Sequence, residues 1–485
     1  MHSLAIDGKP TMISIARFPH RAAAWAAVVA LSGCAISAKQ PSPAIDMPAQ
    51  WASPGDTEAE PTPAQWWLSF NDPLLDRLIG DVLRTNNDLA AAAIRVYRAQ
   101  LEAGLVDTNL TPSVALGTNG SFTRTLDTHQ MSRASSIAGS LSYELDLWGK
   151  LAAERDAARW AAEATQADRD TVQLALIGTT AALFWQVSYL NQQIAFGESS
   201  IVYAEQTLAL VKSRYAAGAV SGLDMTQAEQ NLSEQRASLT QLIQQRTENR
   251  NALAILFDGP PQAQGPERDA LPDTPLPAVR AGVPAELLGR RPDLRAAEFR
   301  LRESLANVDV TRTSFYPTLT LTGSLGTTSQ NLTSLLQNPV ATLGAGLSLP
   351  FIQWNTMQLR IKVSKSEYEE AVVNFRQKLY GALSEVENAL SARVQLESEA
   401  TQRNLSLMQA QRAETLAKAR FKAGATGVQP WLDQQQRLRD AQSAQALSQL
   451  NRLNNLMNLY KALGGGDAAP PLASSASASL TLGER

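Results

Sequence analysis

The stretch Ile137-Ala-Gly-Ser-Leu-Ser-Tyr-Glu-Leu-Asp-Leu-Trp-Gly-Lys150 decides the fold, because two periodicities meet in it. Up to Leu147, every second residue is apolar, aromatic or glycine and the residues between them are small or polar, which is typical of a β-strand. From Gly149 onward no proline occurs before residue 260. The range 149–215 therefore predicts one helix of about 67 residues, roughly 100 Å long at 1.5 Å per residue.

Four strands are predicted in total, arranged as two hairpins. In hairpin 113–147, a polar loop at 124–135 separates the quoted strand from an earlier one that carries Val114, Leu116, Thr118, Gly120 and Phe122. In hairpin 318–351, the strands carry Leu319, Leu321, Gly323 and Leu325, then Leu343, Ala345, Leu347, Leu349 and Phe351. About ten residues of alternation is the length at which a tilted strand crosses a bilayer. We therefore expect an α+β membrane protein.

The chain repeats itself at a spacing of 205 or 206 residues. The matching pairs include Asp88 with Asp293, Pro112 with Pro317, Trp148 with Trp354, Arg214 with Arg420, and Gly218 with Gly424. We expect two structural units, 66–259 and 285–466, each built as helix, hairpin, very long helix and helix. The second long helix is predicted at 355–421, and the helices that follow the long ones are predicted at 224–257 and 430–462.

The long helices are predicted to form the wall of a tube. A globular helix averages about a dozen residues, so helices of this length belong to a coiled or barrelled array. The apolar residues of the first form only a partial stripe between Gln, Thr and Ser: Leu174, Leu176, Ile177, Ala181, Leu183 and Val187. Such helices can pack sideways and still face water on two sides. On periodicity alone, an extended coiled coil is the alternative.

The N-terminus has the pattern of a secretory signal. Arg17, His20 and Arg21 precede an apolar run at 22–31, which is too short to span a bilayer. We assign 1–33 to the signal peptide, with Met1 or Met12 as the start. The sequence Leu31-Ser-Gly-Cys34 resembles the bacterial lipoprotein box, whose cysteine is acylated, and Ala35 after it implies sorting to the outer membrane. An ordinary signal peptide with an incidental cysteine is the alternative.

Three further segments lack the composition of packed elements. Residues 34–65 hold six prolines among Ser, Thr and Glu and are expected to be an extended leader behind the lipid anchor. Residues 260–284 are a Pro-rich linker. Residues 467–485 are a Gly-, Ala-, Ser- and Pro-containing tail that we expect to be disordered.

The composition argues against catalysis and against nucleic-acid binding. Cys34 is the single cysteine, and the histidines are His2, His20 and His129, of which one survives signal cleavage. A His/Cys metal site is then impossible, and a Ser-His-Asp arrangement would depend on His129 in a polar loop. The net charge of −3 offers no basic surface for nucleic acid. We therefore expect no enzyme, no metal and no cofactor besides covalent lipid on Cys34.

Four strands cannot seal a pore alone. Every backbone N–H and C=O in lipid needs a partner, so an open four-stranded sheet is not stable there. A closed barrel needs about eight strands even when its own side chains fill it. Two copies supply about eight strands and three supply about twelve, and strand number alone does not choose between them. The sequence therefore predicts an oligomeric duct.

Three motifs resemble one known family. Tyr143-Glu-Leu-Asp-Leu-Trp-Gly-Lys150, the mid-chain run Gly282-Val-Pro-Ala-Glu-Leu-Leu-Gly-Arg-Arg-Pro-Asp-Leu-Arg-Ala-Ala-Glu298 and the opening Trp66-Trp67 with Phe70-Asn-Asp-Pro-Leu74 are similar to those of the TolC/OprM-like outer-membrane factors, NodT-type efflux lipoproteins. The resemblance implies a homotrimer with a 12-stranded β-barrel in the outer membrane and a 12-helix periplasmic α-barrel. It also implies passive conduction from an inner-membrane pump of the resistance-nodulation-division (RND) type through a periplasmic adaptor.

The resemblance also assigns residues at the far turns of the long helices. The implied adaptor contacts are Gly218, Ala219, Val220, Gly222, Leu223, Gly424, Ala425, Thr426, Gly427 and Val428. The implied periplasmic mouth holds Asp224, Phe421 and Asp433. The family often has a second Asp and an Arg near this mouth, and the sequence has Pro430 and Thr426 there, so a mouth locked by all three groups is not expected.

Two other functions fit parts of this pattern. A type I protein-secretion channel has the same architecture, although the lipoprotein box is more typical of drug-efflux members. A coiled-coil lipoprotein that tethers the outer membrane is the alternative from another class, and the strand alternation before Trp148 and Trp354 argues against it. The exported substrate and the identities of the pump and adaptor are not encoded in these motifs.

Overall fold

The computed structural model describes residues 46–53, 63–261, 265–329, 337 and 339–466. The predicted signal peptide, the acylation site Cys34, most of the leader and the tail 467–485 lie outside these residues. In chain order the main elements are α1 Pro73–Thr85, α2 Asn87–Asp107, β1 Ser113–Arg124, β2 Met131–Leu145, α3 Lys150–Ala216, α4 Gly222–Leu256, α5 Pro292–Thr313, β3 Thr318–Ser329, β4 Pro339–Ser348, α6 Trp354–Lys422 and α7 Gln429–Ala462.

The four strands form one antiparallel sheet in the order β1-β2-β3-β4. The central pair joins the two hairpins, with Leu141 opposite Gly323 and Leu145 opposite Leu319. The outer strands β1 and β4 are exposed at every residue. Among the described residues each has one neighbour in the sheet, so each leaves one backbone edge without a strand partner there.

The first hairpin differs from the predicted ranges at two places, the start and the end of β2. β2 begins at Met131, so the polar loop is shorter than 124–135, because residues 132–135, three of which are polar, still pair with β1 on an exposed strand. β2 ends at Leu145, and Asp146 instead caps α3 by accepting hydrogen bonds from the N–H groups of Leu151 (3.1 Å) and Ala152 (2.9 Å).

The prediction that β4 includes Leu349 and Phe351 is wrong. The strand ends at Ser348, and a 3-10 turn, Pro350–Ile352, follows it. Proline has no N–H to donate to a strand ladder and fixes φ near a helical value, so Pro350 ends the pairing and begins the turn. Leu349 and Phe351 both remain substantially exposed.

The long helices α3 and α6 have 67 and 69 residues and run close to the predicted ranges 149–215 and 355–421. Helix α1 was not predicted. Its signal was present in the opening motif, because Asp72 caps it by accepting from Leu74 and Leu75 N–H and Pro73 occupies its first turn. None of the helices in the described ranges has a stretch that is long and apolar enough to cross a membrane.

The main hydrophobic core lies part-way along the long helices, where α1 and the segment after 265 wrap around them. Trp66 stacks on Tyr460 with ring centroids 4.7 Å apart, and Phe70 packs on Trp185 at 5.0 Å. Buried Arg291, at the start of α5, joins three elements by bonding Asp293, Glu385 (2.7 Å) and the carbonyl of Ala462 (3.0 Å). These contacts hold the long helices in register between the sheet and the far turns.

Candidate functional site: the turn end of the long helices

The two far turns have the same backbone geometry. Gly218 (φ 71°) and Gly424 (φ 74°) adopt the left-handed conformation that glycine reaches without strain. In each turn the N–H of the next residue bonds back to the helix, from Ala219 to the carbonyl of Arg214 (2.9 Å) and from Ala425 to that of Arg420 (3.0 Å). Both are Schellman motifs, so each long helix ends at a sharply defined position.

Arg214, on the last turn of α3, caps the neighbouring long helix. Its guanidinium donates to the carbonyls of Phe421 and Lys422, both at 2.6 Å, and lies 4.7 Å from the Phe421 ring centroid. These carbonyls are at the C-terminus of α6, where the helix dipole favours a cation. A charged side chain on the long helix of the first half therefore stabilises the C-terminus of the long helix in the second half.

Asp224 makes the reciprocal contact. One oxygen accepts from the N–H (2.9 Å) and hydroxyl (2.6 Å) of Ser221 in a capping box at the start of α4, and the other accepts from Val428 N–H at 3.1 Å. Val428 immediately precedes α7 and its own side chain offers no cap. The hydrogen bond from Ser221 lowers the pKa of Asp224, outweighing burial, and the bond from Val428 adds to it. The carboxylate therefore stays ionised at neutral and mildly acidic pH, and its contribution is lost only as the pH falls through this lowered pKa.

Beneath the turns, an aromatic cluster holds three of the long elements together. Phe421 and Trp431 stack at 5.3 Å, and buried Glu414 accepts from Trp431 Nε1 (2.8 Å) and from the Tyr203 hydroxyl (2.5 Å). Burial raises the pKa of Tyr203, and the hydrogen bond to Glu414 raises it further. The Lys418 ammonium lies 4.7 Å from the Tyr203 ring centroid. Helices α3, α6 and α7 thus meet in one packed unit.

The predicted tip residues divide by exposure. Seven of them are exposed and form the surface of the two turns: Gly218, Ala219, Gly222, Leu223, Gly424, Ala425 and Gly427. Val220 and Thr426 are half-buried. Val428 is fully buried in the cluster, so its assignment as a contact side chain is corrected: its N–H, not its isopropyl group, is used at the turn.

The predicted mouth residues also divide. Phe421 is fully buried under Arg214 and Trp431, so it does not line an opening, which corrects that assignment. Asp224 is engaged in the caps described above. Asp433 is exposed on the first turns of α7 and accepts a hydrogen bond from Gln429 at 2.7 Å, so it remains available to a mouth. The sequence alone did not indicate the roles of Arg214 and Glu414, although the Arg-aromatic pair Arg214-Tyr215 recurs as Arg420-Phe421.

The described residues contain no group of three or more His, Cys, Asp or Glu side chains placed to hold a metal ion.

Similarity to known proteins identifies the family of the chain. The sequence matches the family described as outer membrane efflux protein over residues 78–257 and 283–465, well over half of the chain. The chain belongs to the outer membrane efflux protein family. Accordingly it is an outer-membrane efflux channel component that extends into the periplasm, and the family's members are channels rather than enzymes.

Individual relatives agree over nearly the whole length. The pyoverdine export outer membrane protein OpmQ of Pseudomonas putida is 34% identical over 438 residues, which cover 88% of this chain and 93% of the relative. The cation efflux system protein CusC of Escherichia coli is 29% identical, covering 90% and 97%. The MtrE outer membrane channel of Neisseria gonorrhoeae, solved in an open state, has a TM-score of 0.78 and 28% identity, covering 89% and 98%. These efflux relatives favour export over the type I secretion and coiled-coil alternatives.

Proposed function

We propose that three copies of the chain form a continuous duct, a 12-stranded β-barrel in the outer membrane that passes into a 12-helix tunnel in the periplasm. The observation that carries this proposal is the four-stranded sheet with exposed, unpartnered edges at β1 and β4. Backbone groups in lipid must be hydrogen-bonded, and pairing β4 of one copy with β1 of the next satisfies both edges. The internal repeat makes each copy contribute two equivalent units to the ring.

The duct is one part of a tripartite efflux system. The exposed surface of the two turns offers small residues and Leu223, which is 67% exposed, to a periplasmic adaptor protein. The adaptor connects the duct to an inner-membrane pump of the RND type, and Cys34 carries the lipid that adds to the anchorage in the outer membrane. The relatives named above export different substrates, so we place substrate choice in the pump and assign the duct passive conduction.

The oligomer and its conductance test this proposal directly. We expect the acylated protein in mild detergent to migrate as a trimer on unboiled denaturing gels, to collapse to the monomer on heating, and to conduct ions in a planar lipid bilayer. A chain that is monomeric and electrically silent would overturn the proposal. Neighbouring genes for an adaptor and a proton-driven pump would support the tripartite assignment independently.

Asp433 is proposed to set the ion preference of the periplasmic mouth. Three copies of this exposed carboxylate around the axis would attract cations and disfavour anions. Asp433→Asn should therefore reduce the preference for K⁺ over Cl⁻ measured from reversal potentials in a salt gradient. The exposed surface residue Asp440, paired with Gln436 further along α7, provides the matched control Asp440→Asn. An unchanged preference in Asp433→Asn would remove the ring from the proposal.

A further inference from the structure

A polar cavity of about 540 Å³ lies between α3 and the last turns of α7. Its α7 side carries Asn454, Asn458 and Lys461, and its α3 side carries Thr179 and Gln186. Among the described residues that line it, Lys461 is the single charged one. Cavities of this size accommodate small-molecule ligands, and a few polar groups fix the orientation of the ligand.

The cavity and the main hydrophobic core lie on different sides of the helices. On α3, Thr179 is exposed beside the cavity, whereas Ile177 and Ala181 are buried in the core. On α7, Asn458 is exposed and Tyr460 is buried. Helix α1 and the segment after 265 cover the core side, and they would fill the bore if they lay inside the duct. In the proposed duct the core side is therefore the outside, and the cavity faces the bore.

Lys461 is a half-buried cation without a counter-ion. Its aliphatic stem lies on Gly178 of α3, where any side chain would overlap with it. The ammonium group has no hydrogen bond or ion pair within the part of the chain that the structure describes. A cation that is partly withdrawn from water attracts an anion more strongly than a fully solvated one does. The position of Lys461 therefore favours an anionic ligand.

Other polar groups of the cavity are also available to a ligand. The side-chain oxygen of Asn454 is buried and has no hydrogen-bond partner among the described residues. The side chains of Asn458 and Gln186 make no hydrogen bond there either. Buried polar atoms are nearly always hydrogen-bonded, so an orphaned acceptor indicates a missing donor. An anion that also carries a hydroxyl group can accept from Lys461 and donate to Asn454.

A second cavity, of about 620 Å³, lies on the other side of Lys461 and has carboxylates in its wall. These charges are already paired with one another, because Arg291 bonds Asp293 at 2.9 Å and Glu385 at 2.7 Å. The first cavity has no carboxylate among its described lining residues. The anion is therefore placed in the first cavity.

The internal repeat shows that helix packing alone does not require this arrangement. Positions from Trp148 onward correspond at a spacing of 206 residues, so the equivalents of Lys461 and Gly178 are Ile255 and Ser384. Ile255 is 64% exposed and carries no charge. Neither the ammonium group nor the glycine that holds its stem recurs in the other half. The two features occur together only where the cavity is formed.

We propose that this cavity binds small organic anions that bear a hydroxyl group beside a carboxylate or phosphate. Lys461 holds the anionic group, and Asn454 accepts a hydrogen bond from the hydroxyl group. Three copies place three such sites around the bore at one level, which raises the local concentration of anions there. The proposal rests on the duct proposed above and adds an anion site to its wall.

Single-channel recordings with citrate test the site. Citrate carries carboxylates beside a hydroxyl group, and we expect it to reduce the KCl current saturably at constant ionic strength. Lys461→Gln should raise the half-saturating citrate concentration by about tenfold or more, because it removes a hydrogen bond between two charged groups. Lys461→Arg retains the charge and should stay close to the unsubstituted protein. Reversal potentials in a salt gradient should also show a stronger preference for K⁺ over Cl⁻ in Lys461→Gln.

Thr179→Glu tests the site from the opposite wall. Thr179 is exposed and its equivalent in the second half is Glu385, so a carboxylate is compatible with this helix face. The introduced carboxylate should compete with citrate for the Lys461 ammonium group. The half-saturating citrate concentration should therefore rise although Lys461 is unchanged.

Lys365→Gln is the matched control. Lys365 is exposed on α6, twenty residues before Glu385, which is about 30 Å along the helix. It removes the same charge per copy and should leave the citrate response unchanged. A conducting protein that does not respond to citrate, or that responds equally with Lys461→Gln, would overturn the site and leave the duct standing. An absence of conductance in the unsubstituted protein would overturn both.

Discussion

Arg214→Gln should raise the single-channel conductance of the reconstituted protein several-fold. The substitution removes two charge-assisted hydrogen bonds to the end of α6. A hydrogen bond to a charged group contributes about 1.5–3 kcal/mol, and because Arg214 is only half-buried we take that range for the two bonds together; about 1.4 kcal/mol changes an equilibrium tenfold. Losing them shifts the equilibrium between packed and separated positions of the α3–α4 and α6–α7 turns toward separation by roughly 10- to 100-fold. We expect this separation to widen the periplasmic mouth. Planar bilayer recordings measure the change.

Two matched variants identify the cause. Arg214→Lys retains the charge but cannot reproduce the two parallel bonds of a guanidinium, so its conductance should lie between those of Arg214→Gln and the unsubstituted protein. Arg403→Gln removes an arginine from the exposed surface of α6, where its partner is Glu399, and should leave conductance unchanged. A trimeric Arg214→Gln protein with unaltered conductance would show that this cap plays no part in closing the mouth.

Cys34→Ser should abolish incorporation of radiolabelled palmitate completely. Cys34 is the single thiol of the chain and follows the signal-peptide pattern directly, so no other side chain can form the thioether that carries the lipid. The protein should still be found in outer-membrane fractions, because the proposed β-barrel would hold it there through far more buried apolar surface than the acyl chains supply, each buried methylene contributing about 0.8 kcal/mol. Labelling followed by fractionation measures both results.

Ser37 supplies the control for this experiment. Ser37→Ala changes a nearby residue without touching the thiol, and it should label as strongly as the unsubstituted protein. Undiminished labelling of Cys34→Ser would remove the lipoprotein assignment. Loss of label together with loss of the trimer would instead show that acylation is needed for assembly.

Apart from helix α1, the order and approximate bounds of the main elements followed from the sequence because their signals are local. Alternation up to Leu145, absence of proline through α3, and Gly218 after the helix each act within a few residues on the backbone conformation. The same locality explains the errors. Pro350 ended β4 earlier than alternation predicted, and polar residues at the start of β2 paired in spite of their composition.

The use of each side chain at the turns was decided by tertiary structure. The sequence placed Val428, Phe421 and Asp224 near the turns, but their roles depend on which helix lies beside them. Arg214 and Phe421 are more than two hundred residues apart in the chain. Only the packing at the ends of α3 and α6 brings a cation to the C-terminal carbonyls of α6. The sequence by itself therefore determined the elements and their repetition. Packing between the two halves decided which groups are buried, which cap a helix and which remain exposed, because burial and hydrogen bonding depend on neighbours that are distant in the chain.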